Sequence, residues 1–197
     1  MKEKAKASLK EYTVETLEIA YYNFLRTIEG IKPETVSKQV NPNINPVIWI
    51  IGHVAAHMDQ KFVAECLGEA FMGQWSWKEG SPFTIGQTKE IIQQGLPLTF
   101  KELVEDFLKV GEITFSYLRG LPEKKFGYLP ATTTPTVNRI QRITLHIMGH
   151  MGQIRIIRKI LNDPAPGFFV TGMTAPARNH IMKRFNAWWQ KVQNTFP

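Results

Sequence analysis

The stretch Val47-Ile-Trp-Ile-Ile-Gly-His-Val-Ala-Ala56 decides the fold, because it is apolar nearly all round. A helix that is hydrophobic on every side lies buried at the centre of its domain. Pro46 fits the first helical position, where its missing N–H is harmless, and Asn45 before it has the side chain of a helix N-cap. This helix is predicted to continue to about Leu67 and to end at Gly68.

Other segments with helical spacing of apolar residues surround this central helix. They are predicted at about Thr13–Glu29, Thr99–Gly120, Thr134–Leu161 and Thr174–Phe196. Thr99 and Glu102 form a capping box, the signature of a helix N-terminus. Since no segment alternates convincingly like a strand, the sequence predicts an all-α fold: an antiparallel four-helix bundle with an extra C-terminal helix. One domain is expected over residues 1–197, with its core at about 13–161.

A long connection separates the second and third predicted helices. Gly68–Leu98 is expected to be irregular, apart from a short helix at about Lys89–Gln94. A connection of this length in a compact domain is often functional or wraps over a site. This connection, and the C-terminal helix with Trp188 and Trp189, are expected either to cover the site or to form an interface.

Composition restricts the compartment and the partners. The chain has 197 residues and a formal net charge of +7, but its basic residues are scattered and no nucleic-acid-binding motif appears, so we expect a solvated basic surface and no nucleic acid partner. No apolar run approaches the roughly 20 residues that span a bilayer, which predicts no membrane partner. Cys66 is the only cysteine, and the lack of any intramolecular disulfide indicates a cytoplasmic protein. We expect Cys66 to be a small buried hydrophobe rather than a reactive thiol.

Four of the five histidines form two pairs with i, i+4 spacing. His53 and His57 lie in the second predicted helix, and His146 and His150 lie in the fourth. Residues at this spacing share one helix face, with Cβ atoms about 5–6 Å apart. Two imidazole nitrogens can therefore converge on one metal ion, with a third ligand from a facing helix. His180, on the last helix, is expected to be a surface residue.

The pattern predicts a divalent transition metal held by His53, His146 and His150. Three protein ligands with open positions are typical of catalytic metal sites, whereas structural zinc sites are closed by four. Three roles are open for His57: it is a fourth ligand, a residue that hydrogen-bonds a ligand, or a polar residue at the mouth of the bundle. Zn²⁺ or Ni²⁺ is the first expectation, with Mn²⁺ or Fe²⁺ as alternatives, because imidazole suits several of these ions.

Residues beside the histidines add candidates. Gly52, Gly149 and Gly152 indicate either close approach of helices or room for a ligand over the metal, since glycine inside a helix costs about 1 kcal/mol relative to alanine. Asp59 and Glu65 are expected to be solvated helix residues. No Ser-His-Asp or paired-carboxylate pattern competes for the chemistry.

Trp49-Ile-Ile-Gly-His53-Val-Ala-Ala-His57, together with His146-Ile-Met-Gly-His150-Met-Gly-Gln153, resembles the DinB/YfiT-like superfamily. The resemblance implies a four-helix bundle whose second helix gives one histidine ligand and whose fourth gives an H-x-x-x-H pair. It also implies that Gln153 orients a ligand or the backbone; the alternative is a simple interhelical hydrogen bond. Family members resemble metal-dependent transferases and isomerases that use low-molecular-weight thiols such as bacillithiol or mycothiol.

The histidine pattern and the family resemblance lead to two hypotheses about function. The first is a metal-dependent transferase or hydrolase acting on a small-molecule substrate, with a low-molecular-weight thiol as co-substrate. The alternative is a non-catalytic metal-binding or interaction module, present as a homodimer. Whether the protein is an enzyme stays open at this stage.

Overall fold

The computed structural model describes residues 8–84, 95–127, 136–168 and 173–196, and every regular element within them is helical. The α-helices are α1 (Leu9–Ile28), α2 (Pro33–Val36), α3 (Val47–Met58), α4 (Ala64–Leu67), α5 (Phe100–Gly120), α6 (Thr136–Ile160) and α7 (Ala175–Val192). A π-helical turn spans Asp59–Val63, and 3₁₀ turns span Gly73–Trp75 and Glu123–Phe126. The all-α prediction is confirmed. The antiparallel order of the main helices stays a prediction.

The central helix α3 is buried along its length, as its apolar sequence predicts. Every residue from Val47 to Met58 is buried except His57. The helical segment continues from α3 through the π-helical turn into α4. It ends at Gly68, whose φ of 83° is the left-handed conformation that favours glycine. The predicted N-cap at Asn45 is wrong: Pro46 occupies the cap position, with extended backbone. Proline's fixed φ suits both a first helical residue and an extended one, so the sequence does not distinguish them.

The start of α1 lies about one turn earlier than the predicted Thr13. Ser8 accepts a hydrogen bond from the Glu11 backbone N–H while the Glu11 side chain accepts one from the Ser8 N–H, so a capping box begins the helix at Leu9. The predicted capping box at Thr99 and Glu102 is confirmed at the start of α5. The predicted cap at 134–135 and the predicted short helix at 89–94 lie outside the described residues.

The long helices pack around a main apolar core. α1 packs against α5 and α6, and α3 packs against α5 and α6. α7 packs on the outer side of α1, and its Trp189 is buried against Phe100 and Phe185. The C-terminal helix therefore completes the core beside α1. No described helix is long and apolar enough to cross a membrane.

The burial of two residues near the end of the central helical segment differs from the expectation. Asp59 is fully buried, because its carboxylate accepts hydrogen bonds from the N–H groups of Phe71 and Met72, at 2.9 and 3.0 Å, and so fixes the chain after α4. The expectation of a solvated Asp59 is wrong. Cys66 is exposed rather than buried, because α4 is a single turn at the surface with no buried residue.

Arg158, expected on a solvated basic face, is 1% exposed. Its guanidinium pairs with Asp163 at 3.1 Å and donates to the backbone carbonyls of Thr27 and Glu29. A buried arginine needs partners for all its donors, and these carbonyls lie at the end of α1. Arg158 therefore ties the C-terminal end of α6 to that of α1.

Candidate metal centre

Three histidines from α3 and α6 meet in the bundle interior. The ring centroid of His53 lies 4.9 Å from that of His146 and 4.8 Å from that of His150. The centroids of His146 and His150 are 4.5 Å apart. One nitrogen from each ring lies within 4.8 Å of the others. His53 is fully buried and the other two are partly buried. These three nitrogens are close enough to one another to share one ion.

The hydrogen bond made by His53 fixes which of its nitrogens is free to bind a metal ion. Its Nδ1 lies 2.5 Å from the backbone carbonyl oxygen of Phe83. Because a carbonyl oxygen only accepts, Nδ1–H is the donor, and Nε2 of the neutral ring keeps its lone pair. That Nε2 is buried without a hydrogen-bond partner among the described residues. Histidines that ligate metals are commonly held this way, by a carbonyl on the far nitrogen.

The ring of His150 is held in the same manner. Its Nδ1 lies 2.8 Å from Oε1 of Gln153, three residues further along α6. The amide oxygen accepts the Nδ1 proton, which leaves Nε2 unprotonated. Nε2 of His146 is also buried without a hydrogen-bond partner in the part of the chain described. Gln153 bonds within its own helix, as a residue that orients His150 would.

Burial keeps these imidazoles neutral. It lowers the pKa of His53 to about 4, against a smaller rise from the Phe83 hydrogen bond and a further lowering by the charge of His150. Burial likewise lowers the pKa of His146 to about 3, and lowers that of His150. A metal ligand must be deprotonated, so near neutral pH all three rings have the required form.

His57 lies beside this group. Its ring is 4.3 Å from that of His146 and nearly parallel to it, with an interplanar angle of 20°, and 4.5 Å from the Trp77 ring. Burial lowers the pKa of His57 to about 4, helped by the charges of His53 and Lys61. Its Nδ1 is buried with no hydrogen-bond partner among the described residues. The set of nitrogens close enough to share one ion does not include His57.

A family model of the DinB superfamily matches residues 16–154, which is more than half of the chain. The chain belongs to the DinB superfamily. The match extends from α1 into α6 and includes His53, His146, His150 and Gln153, whereas α7 lies beyond it. Comparison with curated proteins and with solved structures gave no match.

In this DinB-superfamily chain, the described part of the long connection contacts two of the histidines: the carbonyl of Phe83 bonds His53, and the ring of Trp77 lies beside His57. The indole Nε1 of Trp49 donates to the carbonyl of Pro82 at 3.0 Å, and the Trp49 ring stacks on His53 at 4.6 Å. Phe83 is fully buried over α3. The carbonyl that orients His53 therefore comes from a segment anchored twice to α3. No sequence signal identifies such a carbonyl, since every residue has one.

The three glycines near the histidines differ in their surroundings. A Cβ on Gly52 would lie 2.2 Å from Cε1 of Phe83, so this glycine permits a close approach, although by a loop ring rather than a helix. Beside Gly149 and Gly152 nothing described lies within 4 Å of such a Cβ. Tight packing therefore explains Gly52, and the other two leave open space on α6.

A cavity of about 140 Å³ opens beside the histidine group. Its lining is formed by His57, Lys61, Arg139, Arg142, Ile143 and His146. Arg142 is exposed, as expected of a solvated basic surface, and Arg139 is partly exposed, but both also line this cavity. Their positions four and seven residues before His146 place them on its helix face, and this spacing was the signal that sequence reasoning missed.

Proposed function

We propose that the protein binds one divalent transition-metal ion through Nε2 of His53, His146 and His150. The supporting observation is three neutral imidazole nitrogens within 4.8 Å of one another, two of them buried without a partner. A buried polar atom without a partner costs about 1–3 kcal/mol, and a bound ion removes that cost at several atoms together. Zn²⁺ or Ni²⁺ is the first expectation, with Mn²⁺ or Fe²⁺ as alternatives.

We further propose that this metal serves a transferase or hydrolase reaction on a small-molecule substrate. A bound divalent metal acts as a Lewis acid and stabilises water or a low-molecular-weight thiol as its anion. The thiol is the proposed co-substrate. His57 adjoins His146 and has a buried Nδ1 without a described partner, so this atom is placed to hydrogen-bond a substrate group beside the metal. Phe83 and Trp49 keep bulk water from the His53 side.

The alternative is a metal-binding or interaction module without turnover. The cavity that reaches His57 and His146 favours the enzyme, because a closed site would leave no room for substrate next to a ligand. Turnover of a thiol-dependent transfer by the metal-loaded protein, and its loss when His57 is replaced by glutamine with metal retained, would support the enzyme. Full metal occupancy with no turnover of any thiol or hydrolytic substrate would favour the module.

The metal proposal is tested by elemental analysis of protein purified without a histidine tag. Wild type is expected to hold close to one ion per chain, His150→Ala to lose it, and His180→Ala to keep it, because His180 is exposed on α7. Gln153→Ala is expected to weaken metal binding by about 10–100-fold, since it removes the acceptor behind His150. Failure of wild type to hold any of the four ions at stoichiometric levels would refute the proposal.

We also propose that the protein is a homodimer joined through α6. Leu145, Met148 and Ile156 are 71%, 49% and 58% exposed and lie along one face of α6, which Gly149 and Gly152 leave flat. Large apolar side chains contiguous on a surface mark an interaction site. Leu145→Glu is expected to convert a dimer into a monomer in light scattering after size exclusion, without loss of helicity. A wild-type monomer at high concentration would contradict this.

A further inference from the structure

The cavity beside His146 has strongly cationic walls. Lys61 reaches it from the π-helical turn, and Arg139 and Arg142 reach it from α6, so positive groups approach from both sides. Among the described residues no carboxylate lines the cavity. Both Lys61 and Arg142 are near enough for their charge to lower the pKa of His57.

The three positive side chains differ in whether a carboxylate of the protein neutralises their charge. Arg139 is bound on two nitrogens by the carboxylate of Glu65, which lies outside the cavity. Lys61 lies over the Trp77 ring, 5.2 Å from its centroid, and no carboxylate pairs with it in the part of the chain described. Arg142 makes no hydrogen bond or ion pair with any described residue. Two positive charges thus border one small cavity without a protein counter-ion.

The size and shape of the cavity restrict what enters. Its volume of about 140 Å³ is several times the roughly 10–15 Å³ that one water requires. A small charged group with a few attached carbon atoms fits this space, and Ile143 provides an apolar wall for those carbons. His146 lines the cavity and so joins it to the histidine group.

We propose that this cavity is an oxyanion subsite, in which Arg142 and Lys61 bind a carboxylate or phosphate of the substrate while the rest of the substrate reaches towards His146. The guanidinium fork binds either oxyanion through paired hydrogen bonds, and such charge-assisted bonds are stronger than neutral ones. The two cations therefore select small anionic substrates. This inference rests on the proposed metal function only for the end of the substrate that reaches the histidines.

Three small probes test the subsite directly. Acetate, inorganic phosphate and the neutral isostere acetamide are titrated into metal-free and Zn²⁺-loaded protein at low ionic strength, and backbone and arginine Nε–H NMR shifts are followed. Saturable shifts at residues lining the cavity are expected with acetate or phosphate, and none with acetamide. Whichever anion binds more tightly identifies the oxyanion as carboxylate or phosphate. Because the cations are partly exposed, added salt is expected to weaken binding.

Matched variants assign the effect to the cavity. Arg142→Gln is expected to weaken anion binding by about ten-fold or more, the loss typical of one charge-assisted hydrogen bond. The double variant with Lys61→Gln is expected to remove saturable binding. Lys159→Gln removes the same charge from an exposed position on α6 and is expected to bind like wild type. Circular dichroism verifies that each variant is folded.

The proposal is overturned if acetamide binds as well as acetate, if neither anion gives saturable shifts at the cavity, or if Arg142→Gln and Lys159→Gln weaken binding equally. Metal content measured on the same samples separates the two proposals. Anion binding that depends on Arg142 in protein unable to hold metal would refute the metal centre alone. Stoichiometric metal without Arg142-dependent anion binding would refute the subsite alone.

Discussion

The metal-free protein is expected to lose stability as the pH falls below about 6.5, and the part contributed by His53 can be isolated by substitution. Burial lowers the pKa of His53 in the folded state from its ordinary 6.5 to about 4. Between these two values the unfolded chain binds a proton at this residue and the folded chain does not. Stability contributed by the neutral ring is therefore complete above pH 6.5 and decreases as the pH falls towards 4.

The magnitude follows from the difference between the two pKa values. Each pKa unit corresponds to about 1.4 kcal/mol, so the whole shift amounts to about 3 kcal/mol at pH 4 and below. At pH 5 the unfolded form of His53 is almost fully protonated and the folded form is mostly neutral. The free energy of unfolding is then lower by about 2 kcal/mol than at pH 8 through this residue alone.

Urea unfolding at pH 5 and pH 8, in the presence of a chelator and followed by tryptophan fluorescence, measures the effect. His53→Phe keeps a ring of similar size against Trp49 and removes the titrating group. The difference in stability between the two pH values is expected to be about 2 kcal/mol smaller in this variant than in wild type. His180→Phe, at an exposed position on α7, is expected to show the wild-type difference. Equal pH dependence in wild type and His53→Phe would refute the reasoning.

Two further predictions concern stability at neutral pH, each measured by chemical denaturation. Gly52→Ala is expected to destabilise the folded protein by about 1–3 kcal/mol, because the added methyl overlaps the buried Phe83 ring. The control Gly149→Ala, in open space on α6, should leave stability unchanged or raise it by up to about 1 kcal/mol. Equal effects of the two substitutions would contradict the argument. Arg158→Met is expected to cost about 3–5 kcal/mol, because it leaves Asp163 and two backbone carbonyls without their buried partner, and a change below about 1 kcal/mol would contradict it.

The helices were predictable where the signal is local. The capping box at Thr99 and Glu102 and the left-handed Gly68 act within one turn, and both mark real ends. Pro46 was placed one position wrong because its φ fits two roles. The burial of Asp59 and Arg158 was not predictable, because their partners, Met72 and Thr27, are set by the tertiary fold. A charged residue in a helical pattern is ordinarily solvated, and only the fold reveals the exceptions.

The histidine cluster was predictable for the same local reason. The i, i+4 spacing of His146 and His150 brings their rings together on one helix, and the apolar run around His53 indicates a buried helix facing them. Of the two groups that hydrogen-bond the histidine rings, one was expected and the other was not. Gln153 lies three residues after His150 and was expected from the family resemblance, whereas the Phe83 carbonyl belongs to a loop and was not expected.

If the proposed function is correct, the surroundings of the histidines restrict the side from which a substrate would approach. His53 is closed off by Trp49 stacked on its ring and by the carbonyl of Phe83. The cavity touches His146 and His57 instead. The neutral histidine rings and the cations that line the cavity impose opposite requirements on a ligand: the rings favour a positive ion, and the cations favour a negative group. A metal ion and an anionic substrate bound together satisfy both, and neither alone does. Anion affinity is therefore expected to be higher in metal-loaded than in metal-free protein.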